Sequence, residues 1–188
     1  MQTPLIYVVG PSGSGKDSLI RYARERLASQ PGVCFAHRYI TRPADAGGEN
    51  HIALSEEEFA ARAKADLFAL HWRSHGLSYG IGIEINQWLA KGVTVVVNGS
   101  RGYLPQARKR YPELLPVAIE VSDAVLRARL RARGRETAEQ IEARLQRHHE
   151  LGGMGDSRDV IRNDGELAPA GEALVALIRR RSGALACA

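Results

Sequence analysis

Cysteine, lysine and aromatic residues are all scarce in this chain of 188 residues. Cys34 and Cys187 are the only cysteines, too few for a disulfide framework, so we expect a reducing, cytoplasmic environment. Aromatic residues make up 6% of the chain, and the basic run at 127–135 contains none, which argues against a nucleic-acid-binding surface. No apolar run approaches the roughly 20 residues that cross a bilayer. We therefore expect no nucleic-acid or membrane partner.

The scarcity of lysine makes the positive charge almost entirely arginine. Of 26 basic residues 22 are arginine and 4 are lysine, against 21 acidic residues, for a net charge of +5. Arginine can bind phosphates and carboxylates through two parallel hydrogen bonds. Seven arginines and three glutamates lie within residues 127–147, so this segment carries +4 of the net charge. Nucleic acid and compositional bias are alternatives, but so local an excess favours small polyphosphate ligands.

Hydrophobic residues make up 44% of the chain and charged residues 25%, which is typical of one compact globular domain. Short apolar runs predict strands over 5–9, 33–40, 67–72, 93–97, 115–121 and 159–162. Helices are predicted over 17–29, 83–91 and 167–181, and after the capping residues Ser55, Ser122 and Thr137, with Glu58 and Gln140 closing capping boxes. This alternation predicts an α/β fold with a doubly wound parallel sheet, from which a less regular segment, 45–80, projects as a small subdomain.

A phosphate-loop pattern follows the first predicted strand, in the residues Gly10, Pro11, Ser12, Gly13, Ser14, Gly15 and Lys16. Glycines let successive backbone amides curl around a phosphate, the following helix adds its positive N-terminal dipole, and the lysine bridges the outer phosphates. A flexible glycine turn is the alternative interpretation. The position between a predicted strand and a predicted helix favours a site for the triphosphate of ATP on residues 10–18.

The loop departs from its pattern after Lys16, where Asp17 replaces the usual hydroxyl residue and Ser18 follows. We expect Mg²⁺, arriving with ATP, near Ser18 and Asp17, with Asp17 acting through a bound water. A carboxylate beside a triphosphate repels it unless the carboxylate faces the water shell of the metal or the hydroxyls of an acceptor. Asp17 therefore indicates which kind of acceptor the site binds.

Five motifs in one order make the chain resemble the guanylate kinase family. They are the phosphate loop, Thr41-Arg42-Pro43 before Gly48-Glu49, Tyr79-Gly80, the arginines between 129 and 144, and Asn163-Asp164. The resemblance covers nearly the whole chain and implies a phosphate-loop kinase with a single domain over residues 1–188. Its core would comprise residues 1–34, 90–126 and 150–188, its acceptor-binding subdomain residues 35–85, and its helical, arginine-bearing lid residues 127–149.

The resemblance also implies roles for individual residues. Arg42 and Tyr79 would hold the phosphate of the acceptor, and arginines of the lid would stabilise the transferring phosphoryl group. The implied catalytic set is Lys16, Arg129, Arg133 and Arg144. A solvated helix face is the alternative for the lid arginines, because arginines at alternate positions of a helix cannot all point at one site.

Departures from the family pattern change the expected acceptor. Asp45 stands where a second phosphate-binding arginine is expected, and His51 stands where a second tyrosine is expected. Arg38 and Leu70 occupy the positions that bind guanine in the family, and leucine cannot accept hydrogen bonds from a base. An acceptor with more phosphate and no base fits this pattern better. The expected substrate-binding set is Arg38, Arg42, Glu49, His51, Tyr79, Asn98 and Arg101.

One branch of the superfamily carries a closer resemblance, through residues 10–18, 38–43 and 97–101. Its members are kinases that convert ribose 1,5-bisphosphate and ATP to 5-phosphoribosyl 1-diphosphate in phosphonate catabolism. Two alternatives stay open: a guanylate or other nucleoside monophosphate kinase, and a catalytically inactive kinase-like binding module. The presence of Lys16 and of the lid arginines argues against the inactive module. The sequence does not predict the oligomeric state.

Overall fold

The computed structural model describes residues 5–46, 49–134, 136–150 and 159–183. A short 3₁₀ turn covers Arg101–Tyr103. In chain order the other elements are β1 (Leu5–Val9), α1 (Lys16–Arg26), β2 (Val33–Phe35), β3 (Arg38–Ile40), β4 (Ile52–Ala53), α2 (Glu56–Lys64), β5 (Phe68–Ser74), β6 (Leu77–Gly82), α3 (Ile85–Ala90), β7 (Thr94–Asn98), α4 (Leu104–Arg110), β8 (Leu115–Glu120), α5 (Asp123–Arg133), α6 (Ala138–Glu150), β9 (Asp159–Arg162) and α7 (Leu167–Gly183).

Five parallel strands form a central sheet in the order β2-β7-β1-β8-β9, which confirms the predicted α/β fold. Side chains of β1 alternate between its two faces, as strand geometry requires. Ile6 and Val8 pack with α1 and α7 on one face, whereas Leu5, Tyr7 and Val9 pack with α3 and α4 on the other. Because the strands are parallel, the loops that follow β1, β7, β8 and β9 all meet at one edge of the sheet.

A second sheet has four strands in the order β4-β3-β6-β5. The single strand predicted over 33–40 is wrong: its first half pairs with β7 in the central sheet, and its second half pairs with β6 in the second sheet. Strand β6 was not predicted, because Gly80 and Gly82 weaken its strand pattern. It forms an antiparallel hairpin with β5, and His75 and Gly76 in the turn both have positive φ. The segment 45–80 is therefore more regular than predicted.

Helices α5 and α6 pack against each other through a small apolar cluster of Leu126, Leu130, Ile141 and Leu145. The capping box predicted at Thr137 is present: its amide donates to Gln140 Oε1 at 2.9 Å, and the Gln140 amide donates to its hydroxyl at 3.3 Å. No helix in the described part of the chain is both long and apolar enough to cross a bilayer.

The Ser55 hydroxyl caps α2 as predicted, whereas the cap predicted at Ser122 is absent. The Ser55 hydroxyl accepts from the Glu58 amide at 3.1 Å, but the Glu58 carboxylate accepts from Arg62 at 2.7 Å, a favourable pairing one helical turn away. At α5 the Ser122 side chain makes no capping bond. The carboxylate of Asp164 instead accepts from the Ser122 amide at 2.6 Å, and so ties the loop after β9 to the start of α5.

Candidate active site

The loop between β1 and α1 is shaped to hold an anion. Gly13 and Gly15 have φ of +95° and +82°, a conformation that residues with side chains rarely adopt. The Ser14 amide donates to the Pro11 carbonyl at 3.1 Å, and α1 begins directly after the loop, so the unpaired amides of its first turn lie beside it. Asn163 fixes the loop from outside by donating to the Ser14 carbonyl at 2.7 Å.

The loop opens into a cleft of about 1450 Å³ that extends from α5 and α6 to the second sheet. Among the residues that the structure describes, eight cationic side chains line the cleft, against two carboxylates, those of Asp17 and Glu136. The cationic residues are Lys16, Arg38, Arg42, Arg73, Arg101, Arg129, Arg133 and Arg144. This excess of positive charge suits ligands that carry several negative charges.

Asp17 lies where α1 meets residues of both sheets. Its Oδ1 accepts from Asn98 Nδ2 at 2.8 Å and lies 3.5 Å from Lys16 Nζ and 3.8 Å from Arg38 Nη2. Burial alone would raise the pKa of the Asp17 carboxyl, but Lys16, Arg38 and Asn98 together hold this pKa at about 2. Burial lowers the pKa of the Lys16 amine, and the charge of Asp17 opposes this effect. Asp17 is therefore ionised at neutral pH.

Arg38 and Glu49 form a two-pronged ion pair with side chains only 10% and 11% exposed. Arg38 Nε donates to Glu49 Oε2 at 2.8 Å, Nη2 donates to Oε1, and Asn98 adds a bond to Oε2 at 3.2 Å. The Arg38 guanidinium lies 5.2 Å from the centroid of the Tyr79 ring. Arg38 and Tyr79 line the cleft, so Glu49 acts on the cleft through Arg38, whereas Asn98 acts through Glu49 and Asp17.

Arg42 also lines the cleft, and His51, which does not, contacts Arg42. His51 is 8% exposed, and its Nε2 donates to the Arg42 carbonyl at 3.0 Å. His51 Nδ1 lies 3.3 Å from Arg42 Nη2 and 3.2 Å from the Glu49 carbonyl oxygen. His51 thus orients the guanidinium of Arg42.

Three arginines on α5 and α6 line the cleft, and two of them contact the phosphate loop. Arg129 Nη1 donates to the Ser14 carbonyl at 3.3 Å, and Arg144 Nη1 donates to the Ser12 hydroxyl at 2.7 Å. Arg133 lines the cleft and has no hydrogen bond or ion pair with any residue that the structure describes. It is therefore available to a ligand.

Other arginine contacts hold the two helices together. Arg127 on α5 donates to both carboxylate oxygens of Glu142 on α6, at 2.9 Å each. Arg144 pairs with Glu136, in the connection between the helices, at 3.0 Å. Arg127 thus has a structural contact and is absent from the residues that line the cleft.

Arg101 connects the central sheet to α6. It lies just after β7, and its Nη1 donates to His148 Nδ1 at 3.0 Å. Burial lowers the pKa of His148, and the charges of Arg101 and His149 lower it further. His148 is therefore neutral near pH 7 and can accept this bond.

Oxygen ligands for a divalent cation are present beside the phosphate loop. Ser18 lines the cleft next to Lys16 and Asp17. Among the residues that the structure describes, no three His, Cys, Asp or Glu side chains converge on one point. Mg²⁺ needs no such cluster, because it usually takes one or two protein oxygens together with water and phosphate oxygens. The Ser18 hydroxyl and the Asp17 carboxylate fit this requirement.

Trp72 and Tyr103 line the cleft but were not predicted as site residues. The Trp72 ring stacks on Tyr79, with centroids 5.6 Å apart and planes at 4°, and on Tyr103, at 5.5 Å and 26°. A tryptophan in a strand is more often a core residue, and only the hairpin register that pairs Trp72 with Tyr79 brings it to this wall. Tyr103 lies in the 3₁₀ turn, where no sequence pattern marks it.

Comparison with known proteins gives a consistent result. The family model for guanylate kinase matches residues 1–179. The ribose 1,5-bisphosphate phosphokinase PhnN of Thiobacillus denitrificans is 63% identical over 174 residues, which cover 93% of this chain and 92% of that protein. The protein of the same name from Desulfomicrobium baculatum is 58% identical over 176 residues, 93% of each chain. That from Laribacter hongkongensis is 63% identical over 172 residues, 92% of this chain but only 42% of that longer protein.

Among solved structures, the guanylate kinase of Anaplasma phagocytophilum is similar in fold. It superposes with a TM-score of 0.69 over 96% of this chain and 87% of that chain, at 16% sequence identity. This likeness concerns the fold, and it agrees with the parallel sheet and phosphate loop described above.

Proposed function

Since this chain belongs to the guanylate kinase family, we propose that it transfers the γ-phosphoryl group of ATP to the 1-phosphate of ribose 1,5-bisphosphate. The products are ADP and 5-phosphoribosyl 1-diphosphate. The reaction would take place in the cytoplasm and would serve the breakdown of phosphonates.

The distribution of charge in the cleft carries this proposal. Of the described residues that line the cleft, eight are cationic and two are carboxylates, and the cationic residues extend from the phosphate loop to the second sheet. ATP and ribose 1,5-bisphosphate together bring five phosphate groups, which need such a field to approach each other. A kinase for a nucleoside monophosphate would also need groups that bind a base. Leu70 is 1% exposed and packs in the core, so it offers a base no hydrogen-bonding partner.

The donor would lie on the phosphate loop. Residues 10–18 would surround the triphosphate, with Lys16 at the outer phosphates and Arg129 supporting the loop through the Ser14 carbonyl. Ser18 would hold Mg²⁺, which when bound neutralises part of the charge on the β- and γ-phosphates. The central sheet would then be the core of the kinase, and helices α5 and α6 its lid.

The acceptor would lie against the second sheet. Arg42 and Tyr79 would bind a phosphate group, and Arg38 and Arg101 would add positive charge beside it. The remaining predicted residues, Glu49, His51 and Asn98, would act as positioning residues through the contacts described above.

The chemistry needs alignment and charge stabilisation more than proton transfer. An oxygen of the 1-phosphate forms a bond to the γ-phosphorus, and the bond between that phosphorus and the bridging oxygen of ADP breaks. With a second pKa of about 6 the attacking phosphate is already ionised at pH 7, so no general base is required. Lys16, Arg133 and Arg144 would stabilise the charge on the transferring group.

Phosphorus NMR tests the proposal directly. The protein is incubated with MgATP and either ribose 1,5-bisphosphate or GMP. We expect a new pair of coupled diphosphate signals together with ADP from the sugar, and no reaction with GMP. The Lys16→Ala variant is the control and should lose the sugar reaction. Formation of GDP without a sugar diphosphate would contradict the proposal.

A further inference from the structure

Asp17 lines the cleft beside the phosphate loop, on which the donor would lie. It follows Lys16 of the phosphate loop directly, and its Oδ1 contacts Asn98 at the end of β7 and approaches Arg38 of the second sheet. These contacts place Asp17 on the acceptor side of the loop. Its side chain is 35% exposed and lines the cleft, so a ligand can reach it.

The two oxygens of Asp17 differ in their surroundings. The hydrogen bond from Asn98 and the closest approaches of Lys16 and Arg38 are all to Oδ1. No hydrogen bond to Oδ2 is found among the residues that the structure describes. Protein groups therefore fix the carboxylate through one oxygen and leave the other for a ligand.

The chemistry of a carboxylate restricts what this ligand group can be. An ionised carboxylate only accepts hydrogen bonds, and ionised phosphates only accept them too. Neither the triphosphate of ATP nor the phosphates of the acceptor can therefore bind Asp17 directly. On ribose 1,5-bisphosphate the only donors are the hydroxyls at C2 and C3, and the C2 hydroxyl is the one beside the reacting 1-phosphate.

We propose, resting on the function proposed above, that Asp17 binds the C2 hydroxyl of the acceptor sugar through Oδ2. The hydroxyl donates to the carboxylate, and this bond sets the orientation of C1 and its phosphate. Asp17 is thus a specificity-determining residue that selects ribose over 2-deoxyribose. The competing role is contact with the water shell of Mg²⁺.

Equilibrium binding without metal separates the two roles. Ribose 1,5-bisphosphate and 2-deoxyribose 1,5-bisphosphate are titrated by calorimetry in EDTA into the wild-type protein and the Asp17→Ala variant. A hydrogen bond to a charged group is worth about 10- to 100-fold in affinity. We expect the wild type to prefer the ribose compound by this factor, and the preference in Asp17→Ala to fall to about threefold or less. The ratio of the two affinities cancels any general effect of removing a negative charge.

Glu136→Gln is the matched control, because it removes the other carboxylate of the cleft. It should leave the preference between the two sugars unchanged. Asp17→Asn retains the shape of the side chain and should give an intermediate preference, which keeps the test usable if Asp17→Ala does not fold. Binding of ADP by each variant checks that the loop is intact.

Each outcome has a distinct meaning. An unchanged preference in both Asp17 variants overturns this inference and leaves the metal role. Equal binding of the two sugars by the wild-type protein also overturns it, while the proposed function stands. Failure of the wild type to bind either sugar contradicts the proposed function itself.

Discussion

Arg144 on α6 donates a 2.7 Å hydrogen bond to the hydroxyl of Ser12 in the phosphate loop. The same guanidinium pairs with Glu136 at 3.0 Å, so one side chain joins α6, the connection between α5 and α6, and the loop. A phosphoryl group on the loop would lie within reach of this arginine. The helical pair therefore supplies positive charge to the phosphate loop.

Arg133 is expected to affect turnover far more than nucleotide binding. It lines the cleft and has no hydrogen bond or ion pair with any described residue, so its charge is available to the transferring group. An arginine in this role is worth about 10³-fold or more in rate. Steady-state kinetics of Arg133→Ala should show a loss of this order in kcat with a change of at most about threefold in KM for ATP.

Arg127→Ala is the matched control on the same helix. Arg127 donates to Glu142 and does not line the cleft, so its removal should leave kcat within about twofold of the wild type. Equal turnover in the Arg133→Ala variant and the wild type would remove Arg133 from the catalytic set.

Asn163 is expected to stabilise the phosphate loop. It is 3% exposed, and its bond to the Ser14 carbonyl is the contact from β9 that holds the loop. Asn163→Ala leaves this carbonyl without that donor, which should cost about 1–3 kcal/mol of unfolding free energy and raise KM for ATP several-fold. Urea unfolding and kinetics measure the two effects. Asn86→Ala removes an exposed asparagine whose partner is Tyr111, and should change neither quantity appreciably.

Local motifs made the central sheet and the phosphate loop predictable. Most strands of that sheet are short apolar runs, and the Gly-rich loop depends on adjacent residues alone. The second sheet was less predictable because β3 and β4 have only three and two residues and because β6 contains two glycines. Residues 33–40 show the difficulty, since one predicted strand divides between two sheets according to which strand each half pairs with.

Side-chain partners at the site required the tertiary structure. The sequence marks Arg38, Glu49 and Asn98 as candidates, but only the fold shows that Glu49 holds Arg38 and that Asn98 donates to both Glu49 and Asp17. The stacking of Trp72 between Tyr79 and Tyr103 likewise depends on hairpin register and on a 3₁₀ turn far along the chain. Such contacts join residues that no local pattern relates.

Glu49 is expected to contribute to stability as well as to the position of Arg38. The pair is almost fully buried, and removing one partner of such a pair leaves an unmatched charge. Because Asp17 lies 3.8 Å from Arg38 and offsets part of this cost, Glu49→Gln should lower the free energy of unfolding by about 2 kcal/mol. Urea denaturation measures the change.

The control for Glu49 is an exposed ion pair in the same region of the fold. Glu58→Gln breaks the contact with Arg62 one turn along α2, where water screens both charges. It should change stability by no more than about 0.5 kcal/mol. If Glu49→Gln changed the free energy of unfolding by as little as Glu58→Gln does, Arg38 would not depend on Glu49 for its position.

Asp17 is expected to make stability depend on pH only under acid conditions. Its pKa falls from an ordinary value of 3.8 to about 2 in the folded protein, so the unfolded chain binds a proton at higher pH than the native state does. The stabilisation is complete above the unfolded pKa and is lost as pH falls through 4 towards 2. Because the side chain is 35% exposed, solvent screening reduces this contribution to about 1 kcal/mol.

Urea unfolding of the wild type and Asp17→Asn measures this contribution. The difference between their free energies of unfolding should be constant from pH 5 to 8 and disappear near pH 2. A difference that changed between pH 6 and 8 would assign the effect to a group other than Asp17.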